Sequence, residues 1–134
     1  MTQLLHWFVE GVPVPQGSKT ARVINGRAVL FEANKNHKSW REHVKATIGT
    51  LEQPSTNPVR VELIFWFEKP KTVKRTHMSV KPDLDKLARN ILDCLSGQII
   101  KDDSQVIVLN LRKEYGDKPG VLIRVYEITN VTVW

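Results

Sequence analysis

The sequence predicts an α+β fold: a single mixed β-sheet with two main helices, in the order β-ββ-α-β-α-β-β. Three observations carry that expectation. Two stretches repeat apolar residues at helical spacing, Trp40-Val44-Ile48-Leu51 and Leu84-Leu87-Ile91-Leu95. Short runs rich in β-branched and aromatic residues stand before, between and after them. Asn25-Gly26, set between apolar runs, supplies the positive φ angles of a type I′ hairpin turn.

Taken in order, residues 4–10 (LLHWFVE) read as a first strand. Pro13, Pro15 and Gly17 disfavour helix and interior strand, so residues 12–22 read as a loop. The hairpin covers 22–31. Residues 36–51 form the first helix, with Asn34 or Asn36 as its cap. A breaker cluster from Gln53 to Pro58 precedes a core strand at 59–67 (VRVELIFWF). The second helix starts near Asp83 and stops near Gly97. Strands at 105–113 and 120–128 close the chain, joined by a turn over 116–119. Trp7, Trp40 and Trp66 fall inside apolar patterns and are expected in the core, as is Cys94.

The 134 residues suit one domain, 1–134, with 129–134 as a tail. An apolar fraction of 41% and a charged fraction of 25% argue against disorder throughout. The lone Cys94 makes no internal disulfide, no apolar run is long enough to span a bilayer, and residues 1–10 lack a signal-peptide pattern. The expected location is therefore cytoplasmic, with no membrane partner and no organic cofactor. Twenty Lys and Arg against fourteen Asp and Glu give a net charge of +6, which favours polyanionic partners. Six cationic or titratable bases, Lys69, Lys71, Lys74, Arg75, His77 and Lys81, occur between 69 and 81 with no acid among them. That run is either a solvated loop or a loop that grips phosphate. Lys19 and Arg22 in the first loop are further candidates for phosphate contact. The four histidines show no metal-ligand spacing with one another.

Directly after the basic run come Asp83, Asp85, Asp93, Asp102 and Asp103. Asp83 and Asp85 open the second helix, and Asp102 and Asp103 precede the next strand, so both pairs sit at element ends where side chains are expected to converge. Hard cations such as Mg²⁺ take oxygen ligands and retain waters, so two or three carboxylates suffice. Each acid also has an ordinary structural role: Asp83 as a cap, Asp85 as an acid favoured by the helix dipole, Asp102-Asp103 as a turn. Acids following a cationic run suit phosphodiester hydrolysis, the cations drawing in the backbone and the acids holding a metal against it. Arg89, four residues after Asp85, shares its helix face and is either a surface ion pair or a cation at the scissile phosphate. Asp93 is either its neighbour or a solvated position.

The stretch KPDLDKLARNILDCLSGQIIKDDSQVI, residues 81–107, resembles the RusA family of Holliday junction resolvases. The shared pattern is Asp83-Leu84-Asp85 opening a helix, a basic residue four positions on at Arg89, the acid pair Asp102-Asp103, then Gln105 and a strand. The resemblance extends more loosely over residues 5–128. It implies a homodimeric, Mg²⁺-dependent endonuclease (Mn²⁺ being a possible substitute) that places paired nicks across four-way DNA junctions in recombination and repair. By position it makes Asp83, Asp85 and Asp103 the catalytic metal ligands, with Asp102 assisting. The family's usual Lys is here Arg89, which keeps the charge but does not readily deprotonate. Electrostatic stabilisation suits it better than general-base work. The apolar face of the second helix, widened by Ala88 and Cys94, is either wholly core or partly a dimer surface. Two rival functions remain: a non-catalytic basic nucleic-acid-binding domain, and an interaction domain in which the aspartates are only caps and turns.

Overall fold

A computed structural model describes residues 1–17, 19–32 and 36–129, with side chains described outside 19–24 and 28–32. In chain order the elements are β1 (Thr2–Glu10), β2 (Lys19–Ile24), β3 (Arg27–Glu32), α1 (His37–Ile48), β4 (Val59–Phe67), α2 (Leu84–Leu95), β5 (Val106–Tyr115) and β6 (Gly120–Glu127). A 3₁₀ turn, Asp103–Gln105, leads into β5. This is the expected α+β order.

The main sheet runs β1-β6-β4-β5. β6 is antiparallel to both β1 and β4, whereas β4 and β5 are parallel, so the sheet is mixed. The alternation in β4 decides its faces: Val59, Val61, Leu63 and Phe65 are fully buried, and Arg60, Glu62, Ile64 and Trp66 point the other way. In register with the buried set stand Val121, Ile123 and Val125 of β6. Both helices cover this face. Trp40 and Val44 of α1 and Leu87, Ala88, Ile91, Cys94 and Leu95 of α2 complete one core. Each large aliphatic side chain so buried is worth roughly 1.5–3 kcal/mol. Burial pushes the Cys94 thiol up to about 12, which makes it a packing residue and a poor nucleophile.

The hairpin stands as its own two-stranded sheet, β2-β3. Asn25 (φ 52°) and Gly26 (φ 76°) both take positive φ, as a type I′ turn requires. The first loop is shorter than expected. It ends by Gly17, and β2 begins at Lys19, because the proline restriction reaches only to residue 15 and Lys19–Ile24 pairs with Arg27–Glu32. α1 begins after Asn36, while Asn34 and residues 130–134 of the tail lie outside the described residues. α2 ends at Leu95 with Ser96 as its C-cap, and Gly97 turns the chain at φ 86°.

Two core expectations need correction. Trp7 is 54% exposed, because β1 is an edge strand and its outer positions escape the helices. Trp66 is half-buried on the face away from the helices, tilted against Phe8 with ring centroids 5.9 Å apart. Among the described residues no helix is long and apolar enough to cross a membrane.

Candidate active site

Asp83 occupies the N-cap position of α2 with extended backbone (φ −67°, ψ 137°), and its carbonyl accepts from Leu87 N at 3.1 Å. Its carboxylate makes no capping bond. It lies 3.5 Å from Lys86 Nζ and is 47% exposed. The side chain is therefore not committed to the helix amides, which is the ordinary structural use of an aspartate there. Asp85 follows in the first turn, exposed, where the helix dipole favours an anion.

Asp102 is used differently. It caps the 3₁₀ turn, with Oδ2 accepting from Ser104 N at 3.0 Å. Gln105 Oε1 accepts from Asp102 N at 2.8 Å, completing a reciprocal box. Hydrogen bonds from Ser104, its side chain first and its backbone second, hold the Asp102 carboxyl below the usual carboxylate range. Gln105 also donates Nε2 to Ser55 O and Asn57 O, each at 2.8 Å. This explains a Gln two places after the acid pair: it braces the turn against the chain entering β4. Asp103, in the first position of that turn, is exposed.

The two pairs do not meet within one chain. β4 and β5 run parallel, with Val59 beside Val106 and Phe65 beside Lys113. α2 starts at the C-terminal end of β4, where Phe67, Pro82, Asp83 and Lys86 line one groove. It finishes at the N-terminal end: Ser55 N donates to Ile99 O and Lys101 N to Ser55 O, both at 3.0 Å. The 12 residues of α2, at about 1.5 Å each, span about 18 Å. Strand β5 covers a similar distance between Val106 and Lys113 at about 3.3 Å per residue. Asp83-Asp85 and Asp102-Asp103 thus stand on the order of 20 Å apart by these rises. Among the described residues, no three His, Cys, Asp or Glu side chains group closely enough to hold a metal ion. The expected convergence within a chain fails for a plain reason: a straight helix separates the pairs.

Cations gather at the Asp83 end. The loop from Lys69 to Lys81 leaves β4 at this end, with Lys69, Lys71, Lys74, Arg75, His77 and Lys81 all exposed. It is tied down at several points. Met78 is buried, and Arg75 Nε donates to Tyr115 Oη at 2.9 Å with its guanidinium over the Tyr115 ring. Lys69 Nζ lies over the same ring at 6.0 Å. Lys71 and Lys74 extend into solvent. The Lys19 and Arg22 side chains lie outside the described residues.

Arg89 is exposed and forms no ion pair with Asp85 among the described residues. Asp93 is not its neighbour in charge: Asp93 Oδ2 lies 3.7 Å from Arg41 Nη2. Sequence reasoning missed two cations. Lys86 follows Asp85 directly and pairs with Asp83. Lys113 reaches from β5 to the chain ahead of Asp83, donating to Val80 O at 2.5 Å and Pro82 O at 2.8 Å. Its signal was a cation continuing the Leu109-Leu111 alternation onto the helix-covered face.

The apolar face of α2 is also accounted for. Leu87, Ala88, Ile91, Cys94 and Leu95 are at most 2% exposed within one chain and Leu84 is partly buried against the same core, so nearly all of the stripe is core. Exposed apolar residues occur elsewhere, on β5 at the edge of the described sheet, at Ile107 (56%) and Leu109 (40%).

A family model described as "Endodeoxyribonuclease RusA" matches residues 10–126, spanning both acid pairs, the basic loop and Lys113. The uncharacterized protein YqaN of Bacillus subtilis (strain 168) is 28% identical over 140 aligned positions, covering 93% of this chain and 97% of that protein.

Proposed function

The chain belongs to the RusA endodeoxyribonuclease family, and from that premise we propose that it is a Mg²⁺-dependent homodimer that resolves four-way DNA junctions by paired symmetric nicks. The observation that carries this reading is the Asp83 carboxylate, which makes no capping bond at its helix start and stands beside Asp85 and among Lys81, Lys86 and the 69–81 loop. A pure DNA-binding module gains nothing from such acids, since they repel phosphate.

The donor set fits the metal: Asp83, Asp85, Asp102 and Asp103 offer only carboxylate oxygens, and all four residues are exposed. When bound, Mg²⁺ would polarise the phosphodiester and lower the pKa of attacking water. The chain's own residues do the rest. Lys69, Lys71, Lys74, Arg75 and Lys81 draw in the DNA backbone. Arg89, permanently charged, stabilises negative charge at the reacting phosphate.

The separation of the acid pairs supports a site shared between two chains, with Asp83 and Asp85 from one protomer and Asp102 and Asp103 from its partner. Among the described residues β5 is an edge strand with exposed Ile107 and Leu109. Antiparallel pairing of two such edges about a two-fold axis sets the Asp103 end of each chain against the Asp83 end of the other, giving two sites per dimer. Two symmetric sites are what paired nicks require.

The test is cleavage of a synthetic four-way junction against a linear duplex of the same sequence, with Mg²⁺, with Mn²⁺ and with EDTA. Expected are metal-dependent paired nicks in the junction alone, from a species of about twice the 15.4 kDa chain mass. Binding without cleavage in either metal would leave a non-catalytic DNA-binding domain.

A further inference from the structure

A groove of about 600 Å³ lies beside Asp83. The loop between β1 and β2 supplies Val12, Pro13 and Pro15; the end of β4 and the start of α2 supply Phe67, Pro82 and Asp83. We propose that this groove receives the base and deoxyribose of the nucleotide next to the scissile phosphate and so sets the cleavage-site preference. The inference rests on the nuclease reading above.

Several observations select that occupant. The lining is mostly apolar and rich in flat surfaces, with Phe67 and the rings of Pro13, Pro15 and Pro82, which suit the face of a base. Lys81 and Lys86 bring positive charge to the same groove, which suits the phosphates flanking a nucleoside. Asp83 is both a groove residue and a proposed metal ligand, so an occupant lies next to the reacting phosphate. The volume falls within the range of about 300–1,000 Å³ typical of small-ligand sites, enough for one nucleoside and far too small for a duplex. An occupant must therefore leave the base stack, which costs least where bases are already unpaired, as at a branch point.

The groove is also preformed. Gln16 N donates to Lys86 O at 3.0 Å, tying the loop to α2. Gly11 N donates to Pro119 O at 3.1 Å at the loop's other end. Between them, Asn90 Nδ2 donates to Val14 O at 3.1 Å, from a side chain that is fully buried. Asn90 Oδ1 in turn accepts from Arg41 Nε at 3.1 Å. A polar residue sunk in the core thus holds this loop in place. Val12, on the same restrained loop, is nonetheless 62% exposed, an apolar side chain presented to solvent in a groove.

Val12→Trp fills the groove without disturbing the core, and Val12→Ala widens it. The probe is a four-way junction with a mobile core and 2-aminopurine placed beside each candidate cleavage step. With Ca²⁺ in place of Mg²⁺, wild-type binding should raise 2-aminopurine emission at the preferred step, and Val12→Trp should abolish that rise. With Mg²⁺, Val12→Trp should slow single-turnover cleavage about a hundredfold, because a displaced scissile phosphate loses alignment. Junction affinity should change less than about threefold, since phosphate contacts dominate it. Val12→Ala should redistribute cuts among steps. Unchanged cut positions and rates in both variants, with the emission change intact in Val12→Trp, would overturn the groove assignment while leaving the nuclease reading standing. A wild type that cuts nothing would refute the nuclease reading, and the Ca²⁺ emission measurement would still decide the groove.

Discussion

Asp83 and Asp102 both precede a helical segment as its N-cap, yet their carboxylates are used in opposite ways. Asp102 is closed on itself: it accepts from Ser104, is boxed by Gln105, and through Gln105 is fastened to Ser55 and Asn57. Asp83 caps nothing and faces Lys86. One end of the molecule therefore holds a rigid acid turn, and the other holds open acids amid cations. The difference teaches that the same residue type at the same helical position has its carboxylate bonded into its own turn in one place and left out of the cap in the other. Only the hydrogen bonds of the side chain distinguish them.

The sharpest way to break this contrast is substitution at the open acids. Asp83→Asn, Asp85→Asn and, at the other end, Asp103→Asn are each expected to lower junction cleavage at least about a hundredfold. Junction affinity should hold or rise, because each change removes a negative charge near phosphate. Near-normal cleavage by Asp85→Asn would remove the Asp83 end from the active site.

Replacing Lys71, Lys74 and Arg75 together with Ala is expected to weaken junction binding by about ten- to a hundredfold at moderate salt. It should also flatten the slope of log affinity against log salt by roughly 0.9 for each phosphate no longer neutralised. Arg75 already stacks on Tyr115, so Lys71 and Lys74 should account for most of the change. Unchanged affinity and slope would mark the loop as merely solvated.

Lys113→Met should leave junction affinity within about twofold but lower the cleavage rate about tenfold, the scale of a residue that positions a ligand from behind. The chain ahead of Asp83 then lacks the donor to Val80 O and Pro82 O. Partial recovery in Lys113→Arg would support positioning through those carbonyls. A fall in affinity with unchanged turnover would make Lys113 a DNA-binding residue instead.

The smallest effect is expected at the closed carboxylate itself, Asp102. Asp102→Asn keeps an oxygen for Ser104 N and should retain most activity, whereas Asp102→Ala should speed amide exchange at Ser104 and Gln105. Equal loss of activity in Asp102→Asn and Asp83→Asn would erase the contrast.

Much of the fold is legible in the sequence where one rule governs a segment. The alternation of 59–67 marks the central strand to the residue, and Asn25-Gly26 marks its turn, because local sterics decide both. The acids and the cationic loop are visible as a pattern of charge. Their arrangement in space is not. Spacing along the chain cannot say that α2 carries Asp83 and Asp103 to opposite ends of the sheet, since that follows from the parallel pairing of β4 with β5. Trp7 is misplaced by its apolar surroundings because edge position depends on strand order, which apolar content does not reveal. Lys113 stays hidden because its role depends on carbonyls more than thirty residues away.

The central claim, a site shared between chains, is tested most directly by mixing two dead proteins. Asp85→Asn and Asp103→Asn chains are combined under exchange conditions, heterodimer is verified by native mass, and a Mg²⁺-dependent nicking assay is run on a four-way junction. If each site takes Asp85 from one chain and Asp103 from the other, a heterodimer holds one intact site and one doubly impaired site. The mixture should then nick one strand of each junction, although neither parent cuts. A verified heterodimer as inactive as its parents would contradict the account, because it would mean that each chain needs both of its own acids.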